Sequence, residues 1–332
     1  MEPIQRIQDF EHLKILADSR RLTILRLLMA GPATLSQLGL VLDEHPARVR
    51  HHLKQLESAG LVELVDTRVV RGFVEKYYRA KAHAFLLHEV ILPHSPNRDI
   101  ITALGSHDMA FERLAQHLHQ RKRGAVELLV LPVGSLEGLI ALRQGIAQLA
   151  GCHLLDAESG EYNLPYIQHL FPDREMTLIT LAHREQGLIV QPGNPHQIRN
   201  LEDLTRADLV MVNRNRGSGT RLWLDHQLER LSISPQSLQG YEYEVSMHTA
   251  VAAAVQQDTA DVGLGLLAAA RQFELDFIPL FRERFDLVVP KERVDDRSLM
   301  RVFNYLVSGE FRRTLDELGG YETSHTGEQI NP

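Results

Sequence analysis

The sequence predicts an α/β chain in two parts: a small helical unit closed by a β-hairpin, then a larger, two-lobed unit in which strands alternate with helices. Three observations predict it. Residues 12–80 carry three helix patterns followed by two alternating runs. From residue 99 onward, strand, turn and helix recur in that order. Two long extended runs, near 176–192 and 277–290, have the length to cross between two lobes.

Length and composition bound the reading. A chain of 332 residues with 44% hydrophobic and 24% charged residues has room for two or three ordinary globular domains. The start, MEPIQRIQDFEHLK, has no apolar segment of a secretory signal, and no run approaches the roughly 18 apolar residues of a membrane span. The expected compartment is the cytoplasm, with no membrane contact. The single Cys152 excludes an intrachain disulfide framework and a thiolate metal cluster, and no metal site is expected. Net charge is −7, but residues 1–81 hold 13 Lys/Arg against 10 Asp/Glu and the remainder 23 against 33. A mildly basic head on an acidic body suits a local nucleic-acid footprint.

The first elements lie within 1–81. HLKILADSRRLTILRLLMAG (12–31) places Leu and Ile at three- and four-residue steps, a helix ending at Gly31. ATLSQLGLVLD (33–43) is a second, short helix. In the third, over 45–58, Pro46 suits the first turn, Val49, Leu53 and Leu56 share one face, and Gly60 follows its end. Arg48, Arg50, His51 and Lys54 lie mainly off that face. LVELVDTRVVRGFVEKYYRA (61–80) alternates as two strands around a turn holding Arg68, Arg71 and Gly72. This order is that of a winged helix-turn-helix.

The stretch resembles the ArsR-type winged-helix repressors, most closely in VRHHLKQLESAGLV. The resemblance implies a homodimer on double-stranded DNA, with the 45–58 helix in the major groove and the wing near phosphates. Arg48, Arg50, His51 and Lys54 are then the DNA-contacting candidates, and Arg68 and Arg71 the backbone contacts. The plain alternative is a solvated helix face. Metal-sensing members carry Cys pairs on these helices; TLSQLGLVLD has none, and adjacent His51 and His52 point about 100° apart.

AHAFLLHEVILPHSPNR (82–98) is a linker ahead of a domain over 99–318. DIITALGSHD is a strand with a Gly-Ser turn, and MAFERLAQHLHQ its helix. AVELLVLPVGSLEG and LIALRQGIAQL repeat the unit, and LAGCHLLD is a third strand. The first long run, 176–192, is followed by DLVMVNR (208–214), a helix over 220–231, YEYEV, the helix HTAVAAAVQQ and the strand DVGLGLL. The second long run and helices within 296–317 close the domain. The expected lobes are 99–180 with the C-terminal helices, and 195–275. YETSHTGEQINP is polar, so 319–332 is expected to be a disordered tail.

Two strands joining two lobes is similar to the type II periplasmic-binding-protein arrangement, which closes on a small ligand. HTAVAAAVQQDTADVGLG is similar to the matching stretch in LysR-type substrate-binding domains. GSHD, VGSLEGL, AGCHLLDAESGEYN, REQGLIVQPGNP, NRNRGSGTR and AVAAAVQQDTADVGLG together resemble the binding-protein-like domain fused to helix-turn-helix regulators and to some molybdopterin-biosynthesis enzymes. That resemblance implies a molybdate or tungstate effector and no cofactor.

The residues themselves point to an anion. Ligands of parallel sheets sit beyond the carboxyl ends of strands, where turns feed helix N-termini. Ser106, Ser135, Ser218 and Thr220 occupy such turns, with Gly219 permitting close backbone approach. Arg184, Arg216 and Arg221 are candidates for a charged contact. His153 and Asp156 end a strand there, and either line the pocket or hold the following turn. A serine after a strand is equally a helix cap.

Three function classes follow. The leading one is a ligand-responsive transcription regulator sensing a small oxyanion. A second keeps the regulator with a small organic acid or molybdenum-cofactor-related metabolite, for which Tyr162, Asn163 and Tyr166 suit a flatter ligand. The third is an enzyme built on His153, Asp156, His183 and Glu185. Neither H-E-x-x-H nor G-x-S-x-G occurs, so no catalytic residue is expected.

Overall fold

The computed structural model describes residues 2–7, 10–70, 72–87, 99–120 and 126–332. The chain divides into two compact units, Met1–Ile91 and Leu92–Pro332. Arg71, and residues 88–98 of the expected linker, lie outside the described residues.

The first unit begins with β1 (Glu2–Ile7), α1 (Phe10–Leu16), α2 (Ser19–Ala30), α3 (Leu35–Leu42) and α4 (Pro46–Ser58). The single helix expected over 12–31 is two. Asp18 breaks it, because its carboxylate accepts the N–H groups of Arg20 and Arg21 at 2.9 and 3.0 Å and starts α2 afresh. Thr34 and Gln37 form a reciprocal capping box at the start of α3. The wing is β2 (Val62–Val70) paired antiparallel with β3 (Phe73–Ala80). β4 (Ala82–Leu87) is part of this unit rather than of a linker, pairing in parallel with β1. Ile24, Leu28, Leu38, Val49, Leu53 and Leu56 meet in one core, so the apolar stripes read from spacing are the buried ones.

The second unit opens with β5 (Asp99–Gly105), α5 (Met109–Gln120), β6 (Val126–Pro132), α6 (Ser135–Gln144), β7 (Leu149–Cys152), α7 (Leu164–Leu170) and β8 (Met176–Val190). It continues with β9 (Met211–Arg214), α8 (Gly219–Arg230), β10 (Glu244–Val245), α9 (His248–Gln256), β11 (Val262–Leu266) and α10 (Leu267–Gln272). β12 (Asp276–Pro290), α11 (Arg297–Leu306), α12 (Gly309–Leu318), β13 (Tyr321–Glu322) and β14 (Gln329–Ile330) complete it.

One sheet runs through both lobes in the order β10-β9-β11-β8-β12-β7-β5-β6. Its two ends are parallel, as crossover helices require. Its centre is the antiparallel pair β8 and β12, each 15 residues long, which spans both lobes. In lobe one, Phe111, Leu114, Leu299 and Phe311 pack on one face of the sheet, and Leu139, Leu142, Ile167 and Phe171 on the other. In lobe two, Val251, Val255 and Ala269 pack on one side, Leu224 and Leu228 on the other.

The tail expected to be disordered is ordered: β13 and β14 both pair with β8. Its polar composition does not prevent this, because its anchors are main-chain ladders and a few buried groups. Thr326 Oγ1 donates to the Leu181 carbonyl at 2.7 Å, and Tyr321 reaches the centre of the unit.

Candidate functional site

In the first unit, α4 buries Val49, Leu53 and Leu56 and exposes Arg48, Arg50, His51 and Lys54, the side chains expected to face DNA. Arg48 lies 3.6 Å from Glu44, a solvent-exposed contact of little strength. Arg68 is exposed on β2 but is held by Asp66 at 2.6 Å and lies over the Tyr77 ring at 4.7 Å. Beyond it the wing turns apolar, with Val69, Phe73 and Val74 largely exposed.

In the second unit a polar network fills the space between the lobes. Strand ends and helix starts place its members, as expected for an open α/β sheet. Ser106 follows β5, and its Oγ lies 2.8 Å from His153 Nε2, just after β7. His153 Nδ1 meets Glu283 Oε2 of β12 at 2.8 Å. The other Glu283 oxygen accepts from Arg184 Nε and Gln186 Nε2 of β8, each at 2.6 Å. Arg184 Nη1 continues to Asp108 at 2.7 Å, which also accepts from the Tyr321 hydroxyl at 3.0 Å. Gln186 Nε2 also donates to Thr220 Oγ1, at the start of α8, at 2.8 Å.

A second branch lies on lobe two. Arg214, the last residue of β9, sets Nη1 2.6 Å from His248 Nε2 and donates from Nη2 to the Ser246 carbonyl at 2.9 Å. The His248 N–H donates across the cleft to His107 Nδ1 at 3.1 Å. Asn215 Nδ2 donates to the Val133 carbonyl at 3.2 Å, and the Leu136 N–H to the Gly217 carbonyl at 3.3 Å. The lobes are therefore closed on one another.

Charges in this network are unevenly matched. Burial works against the charge of Arg184, but Glu283 and Asp108 outweigh it and raise its pKa. Burial likewise pushes Glu283 up, yet Arg184 and His153 pull it down to about 2. Arg214 is fully buried, and no carboxylate meets it among the described residues. Burial and the nearby Arg184 lower its pKa to about 9, so it stays charged at neutral pH. Burial lowers His248 well below its usual value, and Arg214 and Arg184 add to the effect, so it is neutral. Five buried polar atoms of the cleft make no hydrogen bond among the described residues: Arg184 Nη2, Gln186 Oε1, Arg214 Nε, Asn215 Oδ1 and His248 Nδ1.

The order hydroxyl, imidazole, carboxylate in Ser106, His153 and Glu283 is that of a nucleophile relay. Its electrostatics oppose that use. Burial lowers His153 to about 4 despite Glu283, whose carboxylate Arg184 and Gln186 already occupy. Burial thus disfavours the protonated imidazole that a general base must pass through.

Of the residues expected at the site, Ser106, His153, Arg184, Gly219 and Thr220 are gathered in the cleft. Ser135 supports it, accepting the His153 N–H at 3.2 Å. The others are taken up by local contacts. Asp156 holds its own turn, accepting from Ser159 N and Oγ at 2.8 and 2.6 Å. Ser218 caps α8 through the Arg221 N–H at 3.3 Å. Arg216 points to solvent beside Glu242 at 2.9 Å, and Arg221 is taken up by Asp225 and Glu244 at 3.1 and 3.2 Å. Asn163 is structural, donating to Asp286 at 2.8 Å. Sequence reasoning missed Gln186, Arg214, His248 and Glu283. For Gln186, Arg214 and Glu283 the signal was a polar residue inside a run otherwise apolar enough to be a buried strand; His248 opens the apolar helix α9.

Comparison with known proteins agrees with this architecture. Residues 18–63 match the family model "Bacterial regulatory protein, arsR family", and residues 115–307 match "PBP superfamily domain". The protein YvgK of Bacillus subtilis is 41% identical over 197 residues, 59% of this chain; the chain spans 63% of that relative's length. A Clostridium pasteurianum protein, from the 5′ region of a 2Fe-2S ferredoxin gene, is 37% identical over 108 residues, 32% of this chain and 96% of that protein. Among solved structures, the bromide-bound regulatory domain of HypT from Salmonella typhimurium aligns with a TM-score of 0.47 and 13% identity, covering 68% of this chain and all (100%) of that one. The chain thus carries an arsR-type helix-turn-helix ahead of a closed two-lobed domain, and over more than half of its length it belongs to the PBP superfamily.

Proposed function

We propose that the protein is a ligand-responsive transcription regulator that acts in the cytoplasm as a homodimer, and that a small anion held between the lobes of its second unit alters DNA binding by α4 and the wing. One observation carries the anion: Arg214 is fully buried in the cleft without a carboxylate partner. An unpaired buried charge costs several kcal/mol, so a site that retains one gains strongly from a counter-charge. The class spans tetrahedral oxyanions, molybdate and tungstate among them, and small organic acids. In this reading the ligand is bound without turnover, as suits a binding-protein-like domain behind a helix-turn-helix.

Closure gives the mechanism its two states. A ligand shifts the equilibrium only by its differential affinity for them, and Arg184 on a lobe-crossing strand and Arg214 and His248 on lobe two would meet an anion together when the lobes are shut. The test is paired. Thermal unfolding across an anion panel should show a midpoint rise of several degrees for a ligand at a hundred times its dissociation constant. The same ligand should change the affinity for a preferred duplex. A protein with no sequence-preferring duplex binding, with or without that ligand, would not be a regulator of this kind.

A further inference from the structure

Proton positions in the cleft are dictated by groups that have only one role. Arginine has no acceptor atom, so Arg214 Nη1 at 2.6 Å obliges His248 Nε2 to accept and places the proton on Nδ1. A carboxylate is acceptor-only, so the 2.6 Å contact with Glu283 fixes the Gln186 amide with Nε2 toward it. Gln186 Oε1 is then an acceptor that cannot be exchanged for a donor without losing that contact. Glu283 also holds the proton on His153 Nδ1, so His153 Nε2 accepts the Ser106 hydroxyl at 2.8 Å. Ser106 Oγ has only lone pairs left to offer.

The cleft is therefore two-signed. Among the described residues, Arg184 Nη2, Arg214 Nε and His248 Nδ1 are donors without a partner, and Gln186 Oε1 and Asn215 Oδ1 are buried acceptors without one. Native proteins leave few such groups unpaired, and each unmet one is costly. A ligand of oxygens alone would meet the donors and repel the acceptors. Formal charge adds a second restriction. Arg184 and Arg214 are balanced in number by Asp108 and Glu283, but only Arg184 touches them, so Arg214 is a local positive site in a cluster of zero formal charge, which disfavours a dianion. A ligand ammonium group is disfavoured beside two guanidinium groups, so the ligand's own donor is a hydroxyl.

We infer that the cleft takes a small, singly charged anion carrying its own hydroxyl hydrogen, as hydroxycarboxylates and dihydrogenphosphate do, and selects against fully deprotonated tetrahedral dianions. The anion accepts from the arginines and His248, and its hydroxyl donates to Gln186 Oε1. This inference rests on the effector-cleft reading and narrows its ligand class away from molybdate, tungstate and sulfate.

The experiment is a thermal-unfolding titration of the full chain at neutral pH. The probes are the matched pairs glycolate and acetate, and lactate and propionate, with phosphate, sulfate and molybdate. The expected result is that a hydroxyl-bearing anion binds about tenfold or more tightly than its matched partner, or phosphate than sulfate and molybdate. The matched acids and the inorganic series distinguish the two sources of the chemistry. In Gln186→Met, which keeps length but loses the acceptor along with the bonds to Glu283 and Thr220, the ratio should fall to about threefold or less. Sulfate, molybdate or the hydroxyl-free acids binding as tightly as the others overturns the inference and leaves the anion cleft standing. That comparison uses the unaltered protein and does not depend on the variant folding. An unchanged ratio in a folded Gln186→Met protein overturns the role of this acceptor. No shift with any probe overturns both the inference and the cleft.

Discussion

Arg214 is the least compensated side chain in the cleft. Replacing it by Met keeps the volume and removes a buried charge that has no opposite partner. Unliganded Arg214→Met should therefore be more stable than the parent in denaturant unfolding, by about 1–3 kcal/mol, and should lose the midpoint rise with anions. A residue with only a packing role would show the reverse, a less stable protein with its ligand response intact. Tyr321→Phe tests the opposite pole: Asp108 keeps Arg184 but loses a hydroxyl, a cost of about 1 kcal/mol. At this scale the sequence was half legible. The turns after strands pointed correctly to Ser106 and Thr220, since strand-to-helix geometry puts such residues at a cleft whatever the fold's details. In NRNRGSGTR the arginines nearest the glycines drew the charged role, but Arg216 and Arg221 are consumed by acids 23–28 residues on or by Asp225, which spacing does not reveal. Arg214 sits on the strand itself, where a buried arginine is improbable until its surroundings are known.

Among the elements, α4 presents the charge and α2 and α3 orient it. Arg50→Ala and Lys54→Ala should each weaken duplex binding. If the side chain meets a phosphate, the slope of log affinity against log salt drops by about 1, across all sequences alike; if it meets a base edge, preference at one position relaxes instead. Fluorescence anisotropy over a salt series separates the two. The C-terminal strands give a second prediction at this scale. Ending the chain after Leu318 strips β13 and β14 from β8 and removes the Tyr321 hydroxyl, which should destabilise the second unit by on the order of 2–4 kcal/mol. Helices and strands with clear periodicity were legible nearly to the residue, as in α5 and α9. The break at Asp18 and the docking of the tail were not, because a cap inside an apolar rhythm and a two-residue strand leave no periodic trace.

Across the whole molecule, β8 and β12 make the two lobes one sheet, with ladder irregularities between Pro279 and Phe281 and between Phe285 and Asp286 on either side of Glu283. The network thus sits at the joint, and its protonation is coupled to the closed form. His153 has a folded pKa near 4 against 6.5 for a free imidazole. Between these values the unfolded chain binds a proton that the folded chain does not, so stability falls as pH drops from 6.5 toward 4, by on the order of 3 kcal/mol for this group. His248 acts in the same direction. Glu283 enters later, its contribution being lost as pH falls through about 2. Urea midpoints from pH 7 to 4 would show the decline, and His153→Asn should flatten it. One contact at this joint offers a genetic tool. A methyl group added at Gly219 would come within 2.1 Å of the His153 carbonyl and 2.6 Å of its ring, across the seam where α8 meets lobe one. Gly219→Ala is thus a one-carbon doorstop: it holds the lobes ajar without touching the winged helix. On the proposed function, a cell carrying it should show its target genes frozen in an effector-starved state at every effector concentration. Whether those genes are then silent or constitutively expressed reads out, in a single strain, whether the ligand switches transcription on or off.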